Sequence, residues 1–207
     1  DQKKYFNAQF KNVVYISSIG NVGFAAGNNL GINYALKHGA THILLFNPDV
    51  RVPKVFLKPL LNTFKLHKNA GIVAPAHKEP GSLTCGLGGS INWDNCTFPL
   101  TNTNKLPNKE RVFDHLTFAC VLMSADVINE IGLLDERYFM YLEDVDYCVR
   151  AKRAGYELWL NPTVCVTHNT SSSFADKRGK IKLSLASCLK FIHKWYLFPG
   201  NIIPYLH

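Results

Sequence analysis

The stretch His42-Ile-Leu-Leu-Phe-Asn-Pro-Asp-Val50 decides the fold prediction for this chain. Its first five residues have the continuous apolar character of a buried strand, and they run directly into the polar turn Asn47-Pro48-Asp49. Asp49 is the only acidic residue between Gln2 and Lys78. An Asn-Pro-Asp sequence is typical of an Asx turn that starts a loop. It also places a carboxylate where a strand end can hold a positive ligand, and both interpretations stay open here.

Strand and helix patterns alternate on either side of this stretch. We predict a strand over residues 12–16, then a helix that ends near His38 and Gly39. Pro53 can open the next helix, and residues 71–75 form another apolar strand. This alternation predicts an α/β fold, with a mostly parallel sheet covered by helices on both faces. Ligands bind such sheets at the carboxyl ends of the strands, where Asp49 is placed.

The second half of the chain continues the pattern after an interruption. Residues 76–112 are rich in Gly, Thr, Asn and Pro, and predict a long irregular excursion that acts as a lid or binding loop. Residues 116–123 predict a buried strand, followed by a short helix over residues 124–132 with Ser124 as its N-cap. A further helix is expected from Glu143 to Arg153. Because no linker divides the chain, we predict a single domain over residues 1–207.

Composition limits the function classes. The chain has 207 residues, 47% of them hydrophobic and 18% charged, which is typical of a globular protein. Its formal net charge of +8 suits a nucleic acid, an anionic membrane surface or a phosphorylated substrate. The absence of an Arg-rich run or zinc-finger spacing disfavours nucleic acid. None of the six cysteines forms a C-x-x-C pair, which favours a reducing, cytoplasmic location.

Two motifs could carry chemistry. The glycines of Asn21-Val-Gly-Phe-Ala-Ala-Gly-Asn-Asn-Leu-Gly31 lie between a predicted strand and a helix, where they suit either a structural turn or an approach to phosphate. The acidic segment 134–150 contains Asp146 and Arg150, whose spacing allows an ion pair. Asp144 lies on a different face among aromatic residues, which makes it a candidate general base. Its placement at a helix N-terminus is also explained by the helix dipole alone.

These residues occur in a characteristic order along the chain: Asn21-x-Gly-Phe-Ala-x-Gly-x-Asn-x-Gly31, Asn47-Pro-Asp49, Gly132-Leu-Leu-Asp-Glu-Arg-Tyr-Phe-Met-Tyr-Leu-Glu-Asp-Val-Asp146, Arg150, Ala154-Gly-Tyr156 and His168. The combination resembles the rhamnosyltransferase-like branch of the family-two glycosyltransferases over residues 12–175. The resemblance implies a GT-A fold and an inverting sugar transfer. The donor it implies is a dTDP- or UDP-sugar, and the acceptor a glycan or a lipid-linked glycan.

The resemblance also assigns site residues. It places Asp144 as the general base, and Asp49 with Asn47 where the family's Asp-x-Asp element holds Mg or Mn against the diphosphate. His168 would approach the metal or the diphosphate, although a lone His at a strand end is often structural. Residues expected to contact the substrates are Asn21, Gly23, Gly27, Asn29, Asn47, Glu143 and Arg150.

The chain departs from the family pattern in two ways. Family members often have a Gly-Ala-Cys segment on the acceptor side, where this chain has Phe118-Ala119-Cys120. They also begin with a strand, a helix and a second strand that would precede Asp1, so the resemblance implies a chain truncated at its N-terminus. A nucleotide-sugar-binding domain without activity is therefore an alternative. A basic module for nucleic acid or an anionic surface is another.

The C-terminal tail, residues 180–207, gives a further pair of interpretations. Residues 180–195 place Leu and Ile side chains among four lysines. This pattern is typical of a packing helix. It also fits a helix in peripheral contact with a membrane.

Overall fold

The computed structural model describes residues 12–169 and 177–196 of the chain. The helices are α1 Gly23–Lys37, α2 Leu57–Leu66, α3 Ala125–Ile131, α4 Glu143–Arg153 and α5 Lys177–Trp195. The strands are β1 His42–Phe46, β2 Val50–Arg51, β3 Ala70–Lys78, β4 Cys85–Gly89, β5 Leu100–Thr103, β6 Arg111–Val112, β7 Cys120–Ser124 and β8 Glu157–His168. The predicted α/β architecture is confirmed. The part of the predicted tail beyond Tyr196 lies outside the described residues.

The strands form one mixed sheet in which β3 is central. It pairs with β7 on one side, with β8 on the other, and through His77 with β4. Within the described residues only the β3–β8 pairing is parallel, so the expectation of a mostly parallel sheet is wrong. Apolar runs report burial on both faces, and they do not report strand direction.

Helices cover both faces of the sheet, as expected. On β1, Ile43 and Leu45 face one hydrophobic core, which α1, α3 and α4 cover. The intervening Leu44 faces the second core, to which α2 contributes Leu60. A third, smaller cluster joins the outer side of α4 to Phe191 and Trp195 of α5. Helix α4 is therefore enclosed between the sheet and α5.

Several local predictions hold because the signals act over short distances. Helix α1 ends at Lys37, and Gly39 takes a positive φ of 79°. The N-cap of α3 is Ser124, whose Oγ accepts from the Val127 N–H at 3.2 Å. Helix α4 has the predicted bounds.

Two local predictions are wrong, and a third holds only in part. Residues 12–16 form no strand, since no described strand pairs with them, and Val13, Val14 and Ile16 are exposed. Helix α2 begins at Leu57, four residues after Pro53, so Pro53 does not open it. Phe56 occupies the N-cap position. The excursion over residues 76–112 is irregular only in part. It contains the end of β3, then β4, β5 and β6, all paired within the sheet.

No helix in the described part of the chain combines the length and the apolar character that crossing a bilayer requires.

Candidate active site

The end of β1 and the end of β8 meet at one edge of the sheet. After β1 the chain turns at residues 47–49, where the Val50 N–H donates to the Asn47 carbonyl at 3.1 Å. The short strand β2 then pairs with β8, with Val50 opposite His168. This pairing places the His168 Nε2 atom 3.3 Å from the Asp49 Oδ1 atom, and both side chains are largely buried. Two predicted metal ligands that are far apart in sequence are therefore in contact.

Asp49 and His168 fit a divalent cation. At metal–ligand distances of about 2.1 Å, adjacent ligands of an octahedral ion lie about 3 Å apart, close to the observed separation. Among the described residues no group of three or more His, Cys, Asp or Glu side chains could hold a metal. Magnesium and manganese commonly use one or two protein ligands and complete their shell with phosphate and water. The pair therefore suits a metal that is shared with a diphosphate.

The segment before β7 joins this corner to Asp144. The Asn47 N–H donates to the Ala119 carbonyl at 2.8 Å, and the neighbouring Phe118 N–H lies close enough to the Asp144 carboxyl group to lower its pKa. The Val145 N–H also donates to Asp144 Oδ1, at 2.8 Å. The carboxylate therefore lies at the N-terminus of α4. Residues 118–119 run between it and the turn at residues 47–49. The structure brings Asp49 and His168 into contact and links Asn47 to Asp144 through residues 118–119, and the site roles of all four residues stay predictions.

An unusual backbone leads into α4. Tyr141 and Leu142 have φ values of 70° and 65°, which non-glycine residues rarely adopt. Strained backbone of this kind costs free energy and persists where the surrounding structure requires it, often at functional sites. Here it turns the chain so that Glu143 and Asp144 begin the helix. Glu143 is only 7% exposed, and its Oε2 atom has no hydrogen-bond partner among the described residues.

The two adjacent carboxyl groups have shifted pKa values. Burial raises the pKa of Glu143, and the negative charge of Asp144 raises it further. Burial also raises the pKa of Asp144 above the ordinary aspartate value, although N–H groups, including those of Val145 and Phe118, offset part of the rise. A carboxylate with a raised pKa is a stronger proton acceptor than an ordinary one. Asp144 therefore has the property that a general base requires.

The glycine-rich motif packs against the segment that precedes the base. The Asn21 Oδ1 atom accepts from the Gly23 N–H at 3.0 Å, which forms an Asx turn at the start of α1. Gly23 has a φ of 84°, and a Cβ atom there would lie 2.4 Å from the Phe139 carbonyl oxygen. Gly27 lies on the exposed side of α1, where a Cβ atom would meet nothing nearer than 4.0 Å. Donor contacts by these three residues stay predictions.

Asn29 and Arg150 have structural roles, and their predicted substrate contacts stay predictions. Asn29 is buried, and its amide exchanges two hydrogen bonds with the Leu134 backbone and donates a third to Glu136. Arg150 donates to the carbonyls of Ile131 and Leu133 at 2.7 and 2.9 Å, and to the Asp146 carboxylate. These hydrogen bonds join α1, α3 and α4, which gives both side chains a structural role.

Several known proteins similar to this chain are named glycosyltransferases. It is 31% identical over 171 residues to the low-salt glycan biosynthesis hexosyltransferase Agl10 of Haloferax volcanii, a match that covers 75% of this chain and 51% of that protein. The dTDP-rhamnosyl transferase RfbF of Shigella flexneri is 26% identical over 174 residues, 78% of this chain and 52% of its own length. The N-acetylglucosaminyl-diphospho-decaprenol L-rhamnosyltransferase of Mycobacterium tuberculosis is 26% identical over 146 residues, with coverages of 63% and 48%.

The fold comparison agrees with the sequence comparison. The crystal structure of GalNAc-T7 with UDP, GalNAc and Mn²⁺ superposes with a TM-score of 0.67 at 12% identity, covering 95% of this chain and 39% of that one. No protein-family model matches the chain. The chain belongs with the rhamnosyltransferase-like, family-two glycosyltransferases. Its GT-A fold is thereby confirmed, and it spans about half the length of the curated relatives it matches.

Sequence reasoning missed how this rhamnosyltransferase-like chain supports its acidic segment. The fully buried Asp146 accepts from Lys194 at 2.7 Å and from the Trp195 indole at 2.9 Å, in addition to Arg150. Ser187 donates to the Met140 carbonyl at 2.7 Å. The four-residue spacing of Asp146 and Arg150 predicted their ion pair. The contacts with α5 join residues about fifty positions apart, and no local sequence pattern predicts them.

Proposed function

We propose that the chain is the catalytic GT-A domain of an inverting glycosyltransferase. It moves a sugar, with rhamnose as the leading candidate, from a nucleotide diphosphate to an acceptor hydroxyl. The observation that carries this proposal is the contact of Asp49 with His168, one peptide segment away from Asp144. A cation held by Asp49 and His168, and the half-buried Asp144 carboxyl group with its raised pKa, would supply the two functions that sugar transfer from a diphosphate requires.

Asp144 is the proposed general base. Its carboxylate would take the proton of the acceptor hydroxyl as that oxygen attacks the anomeric carbon on the side opposite the departing diphosphate. The Val145 N–H donates to its Oδ1 atom and keeps the carboxylate oriented, and burial raises its pKa so that it competes for the proton. Its negative charge would also stabilise the positive charge that develops on the sugar ring. Glu143 would accept a hydrogen bond from a sugar hydroxyl.

Asp49 and His168 are the proposed protein ligands of a Mg or Mn ion, and Asn47 would orient the turn that carries Asp49. When bound, the cation would supply positive charge to the diphosphate that leaves. The remaining proposed donor contacts come from Asn21, Gly23 and Gly27 at the start of α1. Phe139 ties this end of α1 to the base-bearing segment through its carbonyl, which accepts from the Phe24 N–H at 2.9 Å.

The relatives suggest the substrate classes. One is named for dTDP-rhamnosyl transfer and another for rhamnosyl transfer onto a diphospho-decaprenol, while the Haloferax protein is named a hexosyltransferase of glycan biosynthesis. We infer that this chain uses a dTDP- or UDP-sugar and a glycan or lipid-linked acceptor. We further propose a cytoplasmic location, supported by the six free cysteines.

Calorimetric titration tests the donor site. The chain would be titrated with dTDP and with UDP, each with and without Mn²⁺, and the titrations repeated with Asp49→Asn. We expect binding of at least one nucleotide that requires the metal and weakens at least about tenfold in the variant, because a charged metal ligand is lost. Asp94→Asn, which removes an exposed carboxylate outside the site, is the matched control and should bind like the parent.

Other outcomes separate the alternatives. Equal binding by Asp49→Asn and the parent would reject Asp49 as a metal ligand. Metal-dependent binding without sugar transfer to any acceptor would instead support a donor-binding domain that lacks activity.

A further inference from the structure

Helix α5 has one face committed to the interior. Phe191 and Trp195 are buried against α4, and Ser187 is buried where it donates to the Met140 carbonyl. Lys194 crosses to the carboxylates of Asp135 and Asp146. This face accounts for the expected packing role of the helix.

The opposite face of α5 is apolar and cationic. Ile181, Leu185 and Leu189 are 58%, 59% and 68% exposed, and their spacing of four residues aligns them along one side of the helix. Lys182 lies on the same side, three residues before Leu185 and seven before Leu189. No acidic residue occurs between Lys177 and Trp195. Single exposed apolar residues are ordinary on protein surfaces, whereas an aligned row of three flanked by cations is a patch.

A surface groove adjoins this row. It is lined by Arg137, Tyr138, Leu189, Lys190 and His193. Two cationic side chains and an imidazole therefore share the groove with a leucine and a tyrosine, and the Arg137 guanidinium also pairs with Asp135. Such a combination suits a ligand that is anionic at one end and apolar at the other.

We propose that the exposed face of α5 docks on an anionic lipid surface. Ile181, Leu185 and Leu189 enter the boundary between headgroups and acyl chains, while Lys182, Lys190 and Arg137 contact lipid phosphates. A helix lying in the membrane plane with leucines inserted and lysines at headgroup level is the arrangement that this sequence and exposure fit. A second copy of the chain fits less well, because two identical cationic faces would repel each other.

Docking in this way would orient the candidate active site. Ser187 and Lys190 of α5 donate to the carbonyls of Met140 and Arg137, in the segment that leads to Asp144. If the proposed transfer activity is correct, a lipid-linked acceptor would meet the base from the membrane side. Lipid binding itself does not depend on that activity.

Vesicle sedimentation tests the proposal. The chain would be mixed with vesicles of phosphatidylcholine alone and with vesicles of equal parts phosphatidylcholine and phosphatidylglycerol. We expect binding to the mixed vesicles only, weakened at least about tenfold by Leu185→Gln with Leu189→Gln. Lys182→Gln should weaken it about fivefold, as expected for one cation at the surface. Leu66→Gln, a change at a 71% exposed leucine in α2 on the other face of the sheet, should have no effect.

The same experiment can overturn the proposal. Circular dichroism would confirm that each variant is folded. Equal binding to both vesicle types, no binding to either, or unchanged binding by the α5 variants would each reject it. A fall in oligomeric state of the double leucine variant, measured by light scattering, would show that a second copy covers the face instead. Asp49→Asn should bind vesicles like the parent, so failure here and failure of the donor site are distinguishable.

Discussion

The first turn of α4 carries carboxylates in two contrasting environments. Asp146 is fully buried, and Arg150, Lys194 and the Trp195 indole all donate to it. Glu143, three residues earlier, is also buried, but one of its oxygens has no partner among the described residues, and the pKa of the group is raised. Asp144 accepts from backbone N–H groups, and its pKa is raised as well. Asp146 therefore has cationic partners, whereas Glu143 and Asp144 have none among the described residues.

This difference separates structure from chemistry. A buried carboxylate with cationic partners holds neighbouring elements together, and Asp146 joins α4 to α5. Buried carboxylates without such partners lower the stability of the folded state at neutral pH. They are retained where a reactive or ligand-binding group is needed. Substitutions at Asp144 should therefore act mainly on activity. Substitutions at Asp146 and Glu143 should change stability in opposite directions.

Asp144→Asn should produce the largest effect. The amide keeps the shape of the side chain but cannot accept the acceptor's proton, so the turnover rate should fall about 10²- to 10⁴-fold. Donor affinity measured by calorimetry should stay within about twofold of the parent. Because burial raises the pKa of Asp144, the acidic limb of the parent's rate profile should lie above the ordinary aspartate pKa. An active Asp144→Asn protein with the parent's profile would remove Asp144 from the mechanism.

Asp146→Ala should cause the second largest effect, and on stability. Lys194 and Arg150 would remain largely buried without their shared carboxylate, so the free energy of unfolding should fall by roughly 3–5 kcal/mol. Chemical denaturation would measure the loss. Lys152→Ala, which removes an exposed ion pair with Asp114, is the control and should cost less than about 1 kcal/mol. Equal losses in the two variants would show that the buried carboxylate of Asp146 contributes no more than an exposed ion pair.

Glu143→Gln should have the smallest effect, and in the stabilising direction. Since the folded state raises the pKa of Glu143, it binds more protons than the unfolded state between the ordinary and the raised values. Stability therefore falls as pH rises through that interval, and the glutamine removes this loss. We expect melting temperature to rise by about 2–4 °C above the raised pKa and to be unchanged below the ordinary glutamate value. A gain that is the same at every pH would reject the electrostatic cause.

The sequence by itself determined the features that depend on neighbouring residues. Local backbone preferences and side-chain hydrogen bonds account for the bounds of β1 and α4 and for the Ser124 cap. They also account for the glycines that follow α1 and α3, Gly39 and Gly132. The order of motifs was also sufficient to predict the GT-A fold and the family. For Asp144, the sequence indicated an acid without a local ion-pair partner, and that indication agrees with the structure.

Only the tertiary structure decided the features that join distant segments. The antiparallel directions of most strands, the contact of Asp49 with His168 and the burial of Glu143 depend on pairings between residues far apart in the chain. Asn29 and Arg150 were predicted as substrate contacts because their motifs resemble a binding site, yet packing directs their donors at backbone carbonyls. A side chain's partners depend on what packs around it, and local sequence does not carry that information.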